Sequence, residues 1–152
     1  MSSGVERWDV EADVVVLGTG ASGLVAAIAA HDAGAKVVLL ERAALVGGTT
    51  ATSGGIAWVP NNPHQAQAGI EDSREKALEY LGSLSLGVMD MDLAAAFVDR
   101  GPEMLRHLEA HTPLRFHIAT GYPDYHPEHP GGLPGGGRSL DPDLFPFAEL
   151  GE

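Results

Sequence analysis

The sequence predicts an α/β fold that opens with a strand–helix–strand unit and continues into helices and a Gly/Pro-rich loop region. Three observations carry that reading. A β-branched apolar run, Asp13 to Leu17, stops at Gly18; an alanine-rich stretch, Ala21 to Ala33, follows; a second apolar run, Lys36 to Leu40, comes after Gly34. Uninterrupted apolar runs of this length fit strands buried on both faces. The stretch between them puts Leu24, Ala27 and Ile28 on one side of a helix, and Gly34 stands where a C-terminal cap is expected. Strand, tight glycine turn, helix and second strand make the opening βαβ unit of a doubly wound sheet.

Beyond Leu40 the pattern loosens. Residues 43–63 are rich in glycine and threonine with no sustained period, a kind of stretch that is usually functional or disordered. Asp72, with Glu75 three residues on, predicts a capped helix running to about Leu86. Another helix is expected from Asp90 through Val98, and a separate one from a first-turn proline, Pro102, to near His111. Leu114 to Ile118 alternates weakly and reads as an edge strand. From Gly121 to Pro142, six Gly and five Pro in 22 residues predict loop throughout. There is no internal repeat.

Composition removes whole classes of function. The 152 residues suffice for one domain or part of one. The absence of cysteine excludes a disulfide framework, an iron–sulfur cluster, a thiolate zinc site and a cysteine nucleophile. A net charge of −12 argues against nucleic acid and anionic membranes as partners. The residues before Val14 lack the basic start and apolar core of a signal peptide, and no apolar run approaches the ~18 residues of a membrane span. The expected location is cytoplasmic.

Gly18-Thr-Gly20-Ala21-Ser22-Gly23 carries the chemistry. A G-x-G-x-x-G pattern is weak alone, but here it follows a strand and opens a helix, and the second strand runs into Glu41 about 20 residues on, as a dinucleotide site requires. Gly18 makes the turn, Gly20 lets backbone approach a pyrophosphate, and Gly23 lets helix pack on strand. The helix N-terminus, at Ala21 and Ser22, offers N–H groups to phosphate. Glu41 can accept hydrogen bonds from a ribose 2′-hydroxyl and disfavours a 2′-phosphate, against NADP.

Arg42 follows the acid, then come Gly47-Gly48-Thr49-Thr50 and Ser53-Gly54-Gly55. These segments resemble the E-[KR]…G-G-[ST] and S-G-G stretches of the fumarate reductase/succinate dehydrogenase flavoprotein superfamily, whose cofactor is FAD. The resemblance implies that the second glycine stretch follows the FAD pyrophosphate toward the flavin, with hydroxyls of Thr49 and Thr50 on phosphate. Ser53-Gly-Gly-Ile-Ala-Trp-Val-Pro-Asn61, Tyr122-Pro-Asp-Tyr125-His126 and Gly136-Gly-Arg-Ser-Leu-Asp-Pro142 narrow it to the 3-ketosteroid dehydrogenases. Order and spacing agree from about Asp13 to Pro142, while members of that family are several times longer.

The resemblance implies an incomplete Rossmann-like FAD-binding unit. Residues 1–63 would be the N-terminal half of the FAD-binding domain, and 64–152 a helical and loop segment leading toward a substrate or cap domain outside the chain. It implies α,β-desaturation of a 3-ketosteroid or related cyclic ketone, with hydride passing to flavin N5 and onward to an electron acceptor. Tyr125 would line the steroid pocket and assist a proton-abstracting tyrosine supplied from elsewhere. Two alternatives stand beside it: a fumarate-reductase-like enoate reductase, and a non-catalytic split subunit completed by a second chain. Trp58 reads equally as a pocket wall or a core anchor. His107 with His111, and Asp124, His126, Glu128 and His129 in one loop, read as solvated groups, so no metal site is expected. Arg138, among glycines, reads as ordering its loop through carboxylates or carbonyls.

Overall fold

The computed structural model describes residues 8–146 and 148. Residues 1–7, part of the start read as lacking a leader, lie outside the described residues. The chain is mixed α/β and divides at Gly54/Gly55 into two compact units. In the first, β1 (Val14–Leu17) and β2 (Val37–Leu40) are parallel, with Val14 opposite Val37 and Leu17 opposite Leu40. Between them runs α1 (Ala21–Asp32). Its end is a Schellman motif: Gly34, at φ 88°, donates to His31 O and Ala35 donates to Ala30 O.

The expectation that β1 is buried on both faces is wrong for this chain. Val14 and Val16 are half-buried, while Val15 and Leu17 are 57% and 80% exposed. The reason is cover: α1 packs on both strands, and a single helix shields one face of a two-stranded sheet. Leu24, expected on the packed side of α1, is exposed as well.

The second unit contains β3 (Ala57–Trp58), α2 (Pro63–Gln67), α3 (Arg74–Leu84), α4 (Met91–His111), β4 (Phe116–Ile118) and β5 (Ser139–Pro142). Its sheet is antiparallel, in the order β3-β5-β4. β4 is the edge strand the sequence predicts, but the expectation of loop throughout residues 121–142 fails at its end. Ser139 and Leu140 pair with β3, and Leu140 to Pro142 with β4. Pro142 sits at the strand terminus beyond the β3 pairing, where its missing N–H costs little.

Two helix expectations need correction. α4 is one helix with Pro102 inside it, not two. Its buried residues Ala94, Val98, Gly101, Leu105 and Leu108 recur at 4-3-4-3 spacing through the proline. Packing of that stripe outweighs one lost backbone hydrogen bond. Asp90 caps it, accepting from the N–H groups of Asp92 and Leu93. α3 is capped by Ser73, whose side chain accepts from the Lys76 N–H, and not by Asp72. Asp72 has a different partner. The unit's apolar core gathers Val59, Leu105 and Leu140, with Ala57, Met104, Phe116 and Ile118 against it. Among the described residues no helix is long and apolar enough to cross a membrane.

Beside this core lies a fully buried arginine. Arg138 donates to Asp72 through Nε (2.9 Å) and Nη2 (2.7 Å), and to Asp124 Oδ2 through Nη1 (2.9 Å). Its guanidinium lies 5.5 Å from the Trp58 ring centroid and 5.4 Å from that of Tyr80, within cation–π range. The Trp58 indole N–H donates to the second Asp124 oxygen at 2.7 Å. Burial pushes the Asp72 carboxyl up, yet hydrogen bonds from Arg138 and the Asn61 N–H outweigh it, so it stays below its ordinary value. Arg138→Met should therefore leave two carboxylates buried without their cation and cost about 3–5 kcal/mol. Arg138→Lys, which keeps the charge but not the fork, should cost less. Urea denaturation measures both; a loss below ~0.5 kcal/mol for the methionine variant would remove Arg138 from this role.

Candidate functional site

The first unit places the glycine motif at the carboxyl ends of its two parallel strands. A cleft of about 400 Å³ opens there, lined by Leu17, Gly18, Leu40, Glu41 and Arg42. Ligands of open α/β sheets bind outside those strand ends. Gly18 turns the chain at φ 100°, a conformation L side chains rarely adopt. A Cβ on Gly23 would fall 2.0 Å from the Gly18 carbonyl oxygen, so helix and turn touch as the motif requires. Gly20 differs: a Cβ there would meet only Thr50 Oγ1, at 3.8 Å. It is the N-cap of α1 and has no side chain of its own to cap the helix.

The second glycine segment closes on the first. A Cβ on Gly48 would sit 3.3 Å from the Gly20 Cα and N, so the two backbones meet face to face. Thr50 Oγ1 accepts from the Ala21 N–H at 3.1 Å, and Ser53 Oγ donates to Thr50 O at 2.8 Å. Gly48–Thr52 forms a single 3₁₀ turn whose residues are exposed, as are Ala21, Ser22, Arg42 and Gly54. A polar surface with a helix start, a threonine hydroxyl and two glycine backbones fits a pyrophosphate.

Thr19, the residue between the first two glycines, was not singled out by the sequence. It is buried, and its N–H and hydroxyl both donate to Glu41 Oε2. Its hydroxyl also accepts from the Gly47 N–H at 2.8 Å. One threonine thus joins the motif, the acid and the second glycine segment. The other Glu41 oxygen accepts from the Ala43 N–H at 2.8 Å. The Ala43 N–H first, then the Thr19 hydroxyl and N–H, hold the Glu41 carboxyl at about 2. These three donors fill most of its acceptor positions, and the Arg42 N–H lies against the carboxylate as well. A hydroxyl next to a glycine, 22 residues before a strand-end acid, was the available signal.

Gly55, Trp58 and Tyr125 belong to the second unit. Gly55, at φ 75°, packs near Pro142. Trp58 is an anchor: it stacks on Phe97 at 6.1 Å and 6°, tilts against Tyr80, and bonds Asp124. Tyr125 is 84% exposed. Its hydroxyl, beside that of Tyr122, raises the Tyr122 phenol above its ordinary value. His107 and His111 stack at 4.3 Å on α4, and the His111 ring lies 2.8 Å from His107 O. An open groove of about 610 Å³ is lined by Asn61, Gln65, Glu71, Asp72, Lys76 and Arg106, and of its two acids Asp72 is already engaged by Arg138.

The family model described as FAD binding domain matches residues 13–143. A 3-oxosteroid 1-dehydrogenase of Mycobacterium tuberculosis is 45% identical over 141 residues, covering 93% of this chain and 25% of that protein. A 4-oxocyclohexanecarboxylate 2-dehydrogenase of Sinomonas cyclohexanicum is 46% identical over 138 residues, 91% of this chain and 24% of the relative. The crystal structure of 3-ketosteroid delta1-dehydrogenase from Sterolibacterium denitrificans, in complex with 1,4-androstadiene-3,17-dione, superposes with a TM-score of 0.86. It is 39% identical, over 93% of this chain and 25% of that one. The chain thus spans about a quarter of the length of these relatives.

The Glu41 contacts have a pH signature. A carboxyl lowered from ~4.3 to about 2 in the fold contributes stability that is complete above ~4.3. That contribution fades as pH falls toward 2. The Thr19 and Ala43 amide resonances should titrate together with a midpoint near 2, and Thr19→Val should move that midpoint upward. A wild-type midpoint near ~4.3 would show that these bonds do not hold the carboxylate.

Proposed function

Because the chain belongs to the FAD-binding domain family, we propose that it supplies the ADP-binding half and one flank of the flavin pocket of a dehydrogenase. The substrate class is a 3-ketosteroid or related cyclic ketone, and the reaction α,β-desaturation. The Gly20–Gly48 contact at the glycine start of α1 carries this reading, since two glycine backbones and the Thr50 hydroxyl on the Ala21 N–H make a polar surface there. The ketone relatives, one acting on a steroid and one on a cyclohexane ring by their names, support the substrate class.

In this reading the turn at Gly18 and Gly20, with Ala21 and the amides of Ser22 and Gly23, seats the pyrophosphate. Gly47, Gly48, Thr49 and Thr50 flank it. Glu41 takes a ribose hydroxyl, with Arg42 beside it, and Ser53, Gly54 and Gly55 lead toward the flavin ring. FAD held there would supply the hydride-accepting chemistry of the desaturation, with an external acceptor to take its electrons. Tyr125 lines the ketone site and steadies, through its hydroxyl, the group that removes the α-proton. That base and the groups polarising the carbonyl come from sequence beyond these 152 residues, in the same polypeptide or a second chain.

Glycine substitutions separate the cofactor from the fold. In the complete flavoprotein, Gly20→Val should fold and lose flavin, because its Cβ meets nothing nearer than 3.8 Å in the protein itself. Gly23→Ala should damage the fold as well, with its Cβ 2.0 Å from backbone oxygen. Glu41→Ala should weaken flavin about ten- to a hundredfold, the worth of charge-assisted bonds to ribose. Flavin absorbance per protein and far-ultraviolet circular dichroism give the two readouts. Full flavin content in Gly20→Val would refute the assignment.

Tyr125→Phe removes one hydroxyl from an exposed ring, so fold and flavin content should survive. The rate of ketosteroid desaturation should fall in kcat by about tenfold to a hundredfold, at or below the low end for acid–base assistance. Tyr122→Phe, which breaks the paired hydroxyl contact, should give a smaller loss in the same parameter. Steady-state kinetics at matched flavin content decide this, and an unchanged kcat in Tyr125→Phe would return the residue to a surface role.

A further inference from the structure

The loop after Tyr125 gathers three side chains that the cofactor reading leaves unused. His126, Glu128 and His129 each bring one ligand atom to within 4.8 Å of the other two. Asp124, adjacent in sequence, points inward to Arg138 and Trp58 and is not part of this group. The three that remain are two imidazoles and a carboxylate.

The loop that presents them is firmly built. The His129 N–H donates to His126 O at 3.0 Å and the Gly132 N–H to His129 O at 2.9 Å, so successive turns bring the two histidines together. Their rings stand 5.4 Å apart. The His126 N–H donates to the Tyr80 hydroxyl at 3.2 Å. A Cβ on Gly131 would lie 2.2 Å from Lys76 O, which presses the loop onto α3.

Ser83 sets the protonation of His129. Its hydroxyl donates to Tyr80 O at 2.7 Å, so its one proton is committed. Toward His129 Nδ1, 3.2 Å away, Ser83 Oγ can only accept. His129 therefore carries its proton on Nδ1 and keeps the Nε2 lone pair free for a ligand. Metal-binding imidazoles are oriented in this way, through the ring nitrogen that does not bind. His126 Nδ1 and Glu128 Oε1 are 3.2 Å apart, close to the ~3.3 Å edge of a tetrahedron with ~2.0–2.1 Å metal–ligand bonds. A cation can replace the proton these two share with little movement.

We propose that His126, Glu128 and His129 bind a borderline divalent cation, Zn²⁺ above all, and so brace the loop that carries Tyr125. Two nitrogens and one oxygen select Zn²⁺ over Mg²⁺ or Ca²⁺, which take oxygen ligands. Three protein ligands leave a fourth position to water.

Zinc titration of the full chain against a chromophoric chelator tests the site, with circular dichroism recorded on each variant. One Zn²⁺ per chain is expected, unaffected by millimolar Mg²⁺. His126→Ala and His129→Ala should each weaken binding more than about tenfold. Ser83→Ala, at a residue that supplies no ligand atom and acts through His129 Nδ1, should weaken it by about ten- to a hundredfold. His117→Ala, at an exposed histidine on β4, should leave it unchanged. Co²⁺ added in place of Zn²⁺ should give visible absorption that His129→Ala abolishes. The proposal is overturned by no uptake at ~0.1 mM Zn²⁺, by equal competition from Mg²⁺, or by affinity unmoved in both alanine variants. None of these readouts depends on flavin, so failure here leaves the dehydrogenase reading standing.

Discussion

One guanidinium holds the second unit together. Arg138 is fully buried, a state tolerable only where its donor nitrogens and its charge are met. Asp72 meets it from the segment before α3, Asp124 from the loop before β5, and the rings of Trp58 and Tyr80 face it from β3 and α3. Four separate segments are therefore placed by one side chain. The planar fork matters: two parallel bonds to Asp72 and a third to Asp124 fix angles that an ammonium cannot. Close approach of backbone does the rest, since a Cβ on Gly136 would fall 2.3 Å from Tyr122 O.

The same network explains why the 122–129 loop has two faces. Asp124 is drawn inward by Arg138, Trp58 and the Leu133 N–H, so the tyrosine after it is left outward. Tyr125 is thus exposed because its neighbour is anchored. The histidines that follow are turned together by hydrogen bonds of the same loop. The anchored base of the loop and the exposed side chains at its rim come from one arrangement.

The first unit works by a different economy. Its polar order comes from Thr19, Glu41 and Gly47, a chain of bonds that ties the glycine turn to the second glycine segment. Its apolar order is incomplete, with Val15, Leu17 and Leu40 exposed on strands that read as buried. A two-stranded sheet under one helix cannot cover both faces, and this chain spans a quarter of the length of its relatives. The apolar pattern of β1 and β2 is suited to a larger sheet than these residues make.

The sequence by itself determined what depends on near neighbours. β1, α1 and β2, the turn at Gly18, the contact of Gly23 with that turn, the cap at Gly34 and the strand at Phe116–Ile118 follow from apolar period and glycine placement within a few residues. It also carried the family, through motifs in a fixed order. Tertiary structure decided what depends on distant partners. Asp72 looked like a helix cap because the sequence cannot show that Arg138, 66 residues on, binds it more strongly. Pro102 looked like a helix start because the cost of a proline is local, whereas the packing that overrides it is not. Ser139–Pro142 looked like loop because its strand exists only by pairing with β3 and β4. Thr19 and Ser83 were invisible for the same reason. A hydroxyl gains its role from what folds against it, and composition and spacing carry no record of that.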